Sequence, residues 1–192
     1  TEWGVARRGW SELEDRHRMA GAIYAYPLFE NAMRYHQQLG IDQHRQSMGE
    51  LFARFAAVAK DNPLADRRDG FTAQQIATPS PQNPYIGFPY TRLMNANAYI
   101  DQAAALIMTS VGMARKLGID RERWVFLHGC ADAHDHWYVT DRVNYVSSPA
   151  MKVVAEQTFD MAQVSLDQID HIDLYSCFAS AVKAGADAMG LA

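Results

Sequence analysis

The sequence predicts an α/β fold built on a mostly parallel central sheet, and three observations carry that expectation. From Tyr99 onward, short apolar runs alternate with helical patterns, as they do where strands are joined by crossover helices. The run Ile169 to Leu174 is rich in β-branched and leucine residues, which suits a strand buried on both faces. Directly after it, Tyr175-Ser176-Cys177-Phe178 leads into the small-residue stretch Ala179-Ser180-Ala181-Val182. Here Ser176 is expected to cap a helix, which places Cys177 in the first turn at the positive end of the helix dipole. A thiol so placed is a candidate for chemistry, although free cysteines also pack as small buried hydrophobes.

The elements follow in order. Pro27 to Leu39 predicts a helix with Pro27 at its first position, where the missing N–H is tolerated. Ser47 to Lys60 predicts a second, since Met48, Leu51, Phe52, Phe55 and Val58 recur at three- and four-residue steps as core positions. Asn62-Pro63 ends it. Residues 61 to 97 hold five of the seven prolines and read as a long ordered loop. Within it, Thr72-Ala73-Gln74-Gln75 has capping-box spacing and starts a short helix that ends near Ala77. Asp101 to Ser110 is ambiguous, because its alanines favour helix while its continuous apolar run also suits a buried strand. Val111 to Leu117 reads as a helix ended by Gly118, Arg123 to Ala131 as a strand, and Ser148-Pro149 as the start of a helix reaching about Ala162.

Composition narrows the function classes. The 192 residues are 48% hydrophobic, enough for a real core, and a net charge of −4 with scattered basic residues gives no nucleic-acid footprint. Cys130 and Cys177 lie far apart without CxxC spacing, which argues against a disulfide scaffold or zinc ribbon and fits a reducing cytoplasm. Thr1 to Arg8 lacks a signal-peptide core, and no run approaches the roughly 18 apolar residues of a membrane span. With no Met at the start and Gly190-Leu191-Ala192 at the end, both ends are expected to be cut from something longer.

Three further groups invite functional readings. His128, Cys130, Asp132, His134 and His136 share one face if their segment is extended. Zinc or nickel is one reading, but in-line neighbours cannot all reach one ion, and polar residues beside a pocket are the simpler account, so no metal is assigned. Ser147-Ser148-Pro149-Ala150 starts a helix whose free N–H groups suit an anion or carbonyl oxygen, or an ordinary cap. The pairs Arg7-Arg8 and Arg67-Arg68 read as solvated surface rather than phosphate ligands.

Tyr175-Ser176-Cys177-Phe178 resembles the strand-to-helix junction of the thiolase superfamily, which carries Asn-Glu-Ala-Phe in most thiolases and His-Asp-Cys-Phe in the sterol-carrier-protein-x type. Other segments resemble that family in the same order: Asn83 to Thr91 the exit from the loop domain in the acetyl-CoA acetyltransferase-like branch, Asp101-Gln102-Ala103-Ala104-Ala105 the opening of the C-terminal half, Ser148-Pro149-Ala150 its Gly-Pro-Ala helix start, and Val164 to Asp170 the approach to the catalytic strand. The resemblance implies a partial thiolase-like layered fold in which Ala103 to Ser110 is a strand. Residues 1–97 would hold the end of the N-terminal half and a mostly helical loop domain, and residues 98–192 the start of the C-terminal half. It implies an acyltransferase of lipid metabolism with acyl-CoA as substrate, coenzyme A contacts at Ser148 and Phe178, and no tightly bound cofactor. Cys177 would be the acid/base, with the acyl-accepting cysteine before Thr1. It further implies a homodimer or tetramer, inactive without the rest of its chain. Tyr175 and Ser176 depart from the family pattern. That departure leaves two other implications open: a thiolase-fold retro-aldolase using Tyr175, with a partner protein, and a non-catalytic acyl-CoA-binding subunit.

Overall fold

The computed structural model describes residues 8–97 and 99–191. Arg7 and the 97/98 boundary at Ala98 lie outside the described residues. Three helices come first: α1 (Glu12–Arg16), α2 (Ala22–His36) and α3 (Ile41–Asp61). Then come α4 (Ala73–Ala77), the strands β1 (Tyr85–Gly87) and β2 (Tyr90–Thr91), α5 (Val111–Lys116), α6 (Pro149–Ala162) and α7 (Ala179–Met189).

Local chemistry accounts for most boundaries. The Thr72 hydroxyl accepts from the Gln75 N–H, and Gln75 returns the bond to the Thr72 N–H, which starts α4 where the capping-box spacing predicts it. The Ser110 hydroxyl caps α5, and Gly118 follows with φ +66°, the left-handed conformation glycine tolerates. The span predicted for α6 is the span found.

Two helices differ from expectation. Helix α2 begins at Ala22, so Pro27 lies inside it rather than at its start. Without an N–H, Pro27 leaves the Ile23 carbonyl without its helical partner, and that carbonyl faces Gly87, where a β-carbon would stand 2.6 Å from it. Helix α3 starts six residues earlier than predicted. Its apolar stripe is buried at Met48, half-buried at Leu51 and Phe52, and exposed at Phe55 and Val58. At Gly49, a β-carbon would lie 2.6 Å from the Ala73 carbonyl, so the bare backbone lets α4 sit against α3.

The sheet among the described residues is two-stranded and antiparallel, β1 against β2. It lies in the stretch expected to be loop. The segments 103–110, 123–131 and 169–174, expected as parallel strands, form no ladder there, because a strand exists only where a neighbour takes its hydrogen bonds. The latter two do meet helices. A side chain at Gly129 would run into the Thr158 carbonyl of α6, and Leu174 packs at Gly185 of α7. Several of their apolar residues are uncovered, Val125 being 96% exposed, and so is Leu106 of the first segment at 85%. This is the helical layer of an α/β fold with apolar segments laid across it.

The core joins Met48 of α3, Ile76 and Ala77 of α4, Tyr90 of β2, Met94, and Phe178 and Ala179 at the head of α7. A polar hub is buried beside it. The Glu30 carboxylate, fully enclosed, accepts from His44 Nε2 at 2.7 Å and Lys183 Nζ at 2.8 Å through Oε1, and from the Tyr90 hydroxyl at 2.5 Å through Oε2. The Tyr90 hydroxyl also lies 3.0 Å from Ser180 Oγ. Burial alone would raise the Glu30 pKa, but the His44 hydrogen bond and the Lys183 charge hold it below its ordinary 4.5. Between the unfolded and the lower folded value the folded chain therefore binds fewer protons. The stabilisation is complete above about 4.5 and is lost as pH falls through the folded value. Glu30→Ala is expected to cost about 3 kcal/mol in urea denaturation near neutral pH and to flatten the acid limb of stability. An unshifted urea midpoint would show that the hub holds nothing together.

Candidate active site

The junction that carries the sequence motif runs from Leu174 to Ala179. Helix α7 starts at Ala179 with Phe178 at its N-cap in an extended conformation, and the Ser176 side chain caps nothing. Cys177 thus precedes the cap instead of lying in the first turn. The cause is Phe178, whose ring is drawn into the core, stacked on Tyr26 of α2 at 4.2 Å and 14° and set against Tyr90 at 5.1 Å. The dipole of α7 therefore acts on Cys177 from one residue farther away than predicted.

Around the thiol stand two phenols. Cys177 is half-buried at the edge of the core, and Tyr175 projects outward, 70% exposed. The Tyr26 ring lies on the inner side, stacked on Phe178, the residue after Cys177. Burial raises the Tyr26 pKa, hydrogen bonding to Cys177 raises it further, and the Arg142 charge works against both. The Tyr175 pKa is also raised, chiefly by its hydrogen bond with Cys177. Both phenols therefore keep their protons at neutral pH.

Arg142 belongs to a second cluster that abuts the first. Its guanidinium lies over the Phe29 ring at 5.2 Å and pairs with Asp135 at 3.1 Å, while its Nε is buried without a partner among the described residues. Asp135 also accepts from the Ser148 hydroxyl at 2.6 Å and from the Ala150 N–H at 3.1 Å. Burial would raise the Asp135 pKa; these two bonds and the Arg142 charge bring it below its ordinary 3.8. Ser148 caps α6 through Met151 N, as expected for a helix start, and its hydroxyl proton is engaged by Asp135. A carbonyl or anion arriving at this helix start would meet the Ala150 N–H already held by Asp135 and the Met151 N–H already held by Ser148.

The histidine run is extended in the way the sequence suggests. His128, Cys130, Asp132, His134 and His136 are all exposed, and the residues between them are half-buried. Among the described residues, no three histidine, cysteine or acidic side chains lie close enough to share a metal ion. The inward residue is Asp135, out of phase with the histidines. Its position in the alternation was the available signal. Tyr26, Phe29, Glu30 and Met33 likewise fall at helical steps on one face, but a helix starting at Pro27 leaves Tyr26 outside it.

No protein-family model matches the chain. A solved structure, the SCP2-thiolase-like protein type 1 of Mycobacterium smegmatis, described as monomeric, superposes with a TM-score of 0.87 at 38% identity over 95% of this chain. The chain is thiolase-like, of the SCP2 type. An acetyl-CoA acetyltransferase of Methanocaldococcus jannaschii is 24% identical over 152 residues, 77% of this chain. The thiolase-like chain spans 40% of the length of the first protein and 36% of the second. Its described residues include no helix long and apolar enough to cross a membrane.

Removing the carboxylate in Asp135→Ala frees both the head of α6 and Arg142, and is expected to cost about 1 to 2 kcal/mol. Thermal unfolding of the variant checks this, and an unchanged midpoint would remove Asp135 as an anchor of the site.

Proposed function

We propose that the full-length protein is a cytoplasmic acyltransferase acting on acyl-CoA thioesters, by Claisen condensation or its thiolytic reverse, with Cys177 moving the proton. The observation that carries this reading is a half-buried thiol at the junction where the SCP2-type pattern places a cysteine, with the next residue, Phe178, stacked on Tyr26 in the core. The similarity to an acetyl-CoA acetyltransferase supports the same chemistry. In condensation, the Cys177 thiolate takes a proton from the α-carbon of one thioester, and the carbanion attacks an acyl group held elsewhere in the full-length chain. In thiolysis the thiol returns that proton to the departing carbanion. Tyr175, on the open side, donates a hydrogen bond to the oxygen of the bound thioester. Phe178 lies behind the thiol, and Ser148 at the head of α6 is the second contact proposed for coenzyme A. The organisation into a loop-domain part, 1–97, and the start of a catalytic half, 98–192, belongs to the same reading.

A retro-aldolase reading draws on one observation, the exposure of the Tyr175 phenol. As the base for a β-hydroxyl proton, that phenol would have to ionise, and its raised pKa works against this. Acyl transfer is the better fit.

In the full-length protein, acetoacetyl-CoA with CoA should turn over, and a β-hydroxyacyl-CoA should not. Cys177→Ala is expected to lower turnover at least a hundredfold while CoA-thioester affinity changes less than threefold, as for loss of a proton-transfer group. Turnover unaffected by Cys177→Ala removes the proton role. Binding without turnover of either substrate makes the protein an acyl-CoA-binding subunit. The oligomer proposed is a homodimer or tetramer, and sedimentation equilibrium giving a monomer, as described for the M. smegmatis relative, overturns that part.

A further inference from the structure

We propose that Tyr90 is a positioning residue for Cys177: its ring seats Phe178 and its hydroxyl ties Ser180 to Glu30, so that the segment carrying the thiol is held at the head of α7 in one place and one rotation. The inference rests on the reading of Cys177 as the proton carrier and deepens it, since it names what fixes that thiol against a substrate.

Donor and acceptor roles follow from the atoms. An ionised carboxylate can only accept, so the Tyr90 hydroxyl gives its one proton to Glu30 Oε2 at 2.5 Å. Toward Ser180 the same oxygen is left as an acceptor, and the Ser180 hydroxyl donates to it at 3.0 Å. Lys183 donates to Glu30 Oε1 at 2.8 Å. One carboxylate thus grips α7 twice, directly at Lys183 and through Tyr90 at Ser180, three residues apart on the same face of the helix. A slip of α7 by one residue would turn that face by about 100° and break both grips.

The anchor is itself fixed. Tyr90 is fully buried, it pairs with Gly87 of β1, and the next residue, Thr91, donates through Oγ1 to the Ile76 carbonyl of α4 at 2.7 Å. Its ring lies 5.1 Å from the Phe178 ring, whose face is stacked on Tyr26 at 4.2 Å. Phe178 and Ser180 are both buried, and Cys177, half-buried, packs against the same cluster as they reach it. Tyr90 therefore holds the chain at the residue after the thiol and again at the third residue after it. Proton transfer is sensitive to such a hold, because a reacting group misplaced by about 1 Å can lose on the order of a hundredfold in rate.

Ser180→Ala cuts the link to α7 while Tyr90, His44 and Lys183 all still donate to Glu30. In the full-length protein it is expected to lower kcat for the acyl-CoA thioester about tenfold, with KM changed less than about twofold. Iodoacetamide, whose iodide the thiolate displaces to form an S–C bond, reads the position of the thiol without turnover. With no acyl-CoA present, peptide mass spectrometry should show Cys177 reacting about five- to tenfold faster in Ser180→Ala, because loss of one hydrogen bond loosens its segment, with Cys130 unchanged. Tyr90→Phe keeps the ring against Phe178 and should act in the same direction. The double variant should alkylate no faster than Tyr90→Phe alone, since both substitutions cut the same link, whereas two independent losses of structure would add. A Cys177 rate that is unchanged or slower in Ser180→Ala, a kcat that is unchanged where the parent turns over, or effects of the two substitutions that add, each overturns the proposal. Should Tyr90→Phe not fold, Ser180→Ala decides alone. A faster Cys177 rate in a protein whose parent turns over no thioester removes the acyltransferase reading and leaves the Tyr90 link standing.

Discussion

Everything around the Cys177 junction is arranged about one buried carboxylate. An enclosed carboxylate is costly unless each lone pair finds a donor, and Glu30 draws donors from three other elements: His44 on α3, Tyr90 on β2 and Lys183 on α7. The penalty for leaving any of them unpaired fixes the separation and rotation of these elements more sharply than apolar packing alone. The core residues Met48, Tyr90, Phe178 and Ala179 fill the space so defined. The short reach from Glu30 to Ser180 through Tyr90 places the head of α7 and so the chain segment that delivers Cys177.

A second carboxylate does the corresponding work on the other side. Asp135 ties the 128–142 segment to the head of α6 and orients Arg142 over Phe29. Because Phe29 neighbours Tyr26 and Glu30 on the same face of α2, the two polar anchors share a helix. The stack of Tyr26 on Phe178 forms where the two anchored parts meet, and the thiol sits at its rim. Local stability there comes chiefly from two carboxylates, each held by several donors, while neighbouring apolar segments are uncovered.

What could be read in the sequence was what local chemistry decides. The caps at Thr72 and Ser148, the glycine stop at Gly118 and the proline stop after Asn62 all set boundaries within a few residues, and the order of motifs was enough to reveal the thiolase likeness. What could not be read depends on distant neighbours. Pro27 looks like a helix start because the compensating approach of Gly87 comes from 60 residues away. Ser176 looks like a cap because nothing local announces that Phe178 will be pulled into a stack with Tyr26. The run 123–131 reads as a strand and the family resemblance makes 103–110 one, yet a ladder needs a partner strand, which neither periodicity nor resemblance supplies. In the histidine run, the conspicuous residues face outward, and the single out-of-phase carboxylate does the structural work.

The same division bears on the departure from the family pattern at Tyr175. A phenol in place of asparagine or histidine would be disruptive if it pointed into the core, where its bulk would displace Phe178. It points outward, so its added volume falls on the open side of Cys177. The inner side, with Tyr26, Phe178 and the Glu30 hub behind them, is untouched by the substitution. On the proposed reading, a change confined to the open side alters which thioester fits against the sulfur and how its oxygen is held, while Phe178 and the Glu30 hub behind the thiol stay in place. On the proposed function, Tyr175 acts as a determinant of substrate and is compatible with Cys177 keeping its proposed chemistry.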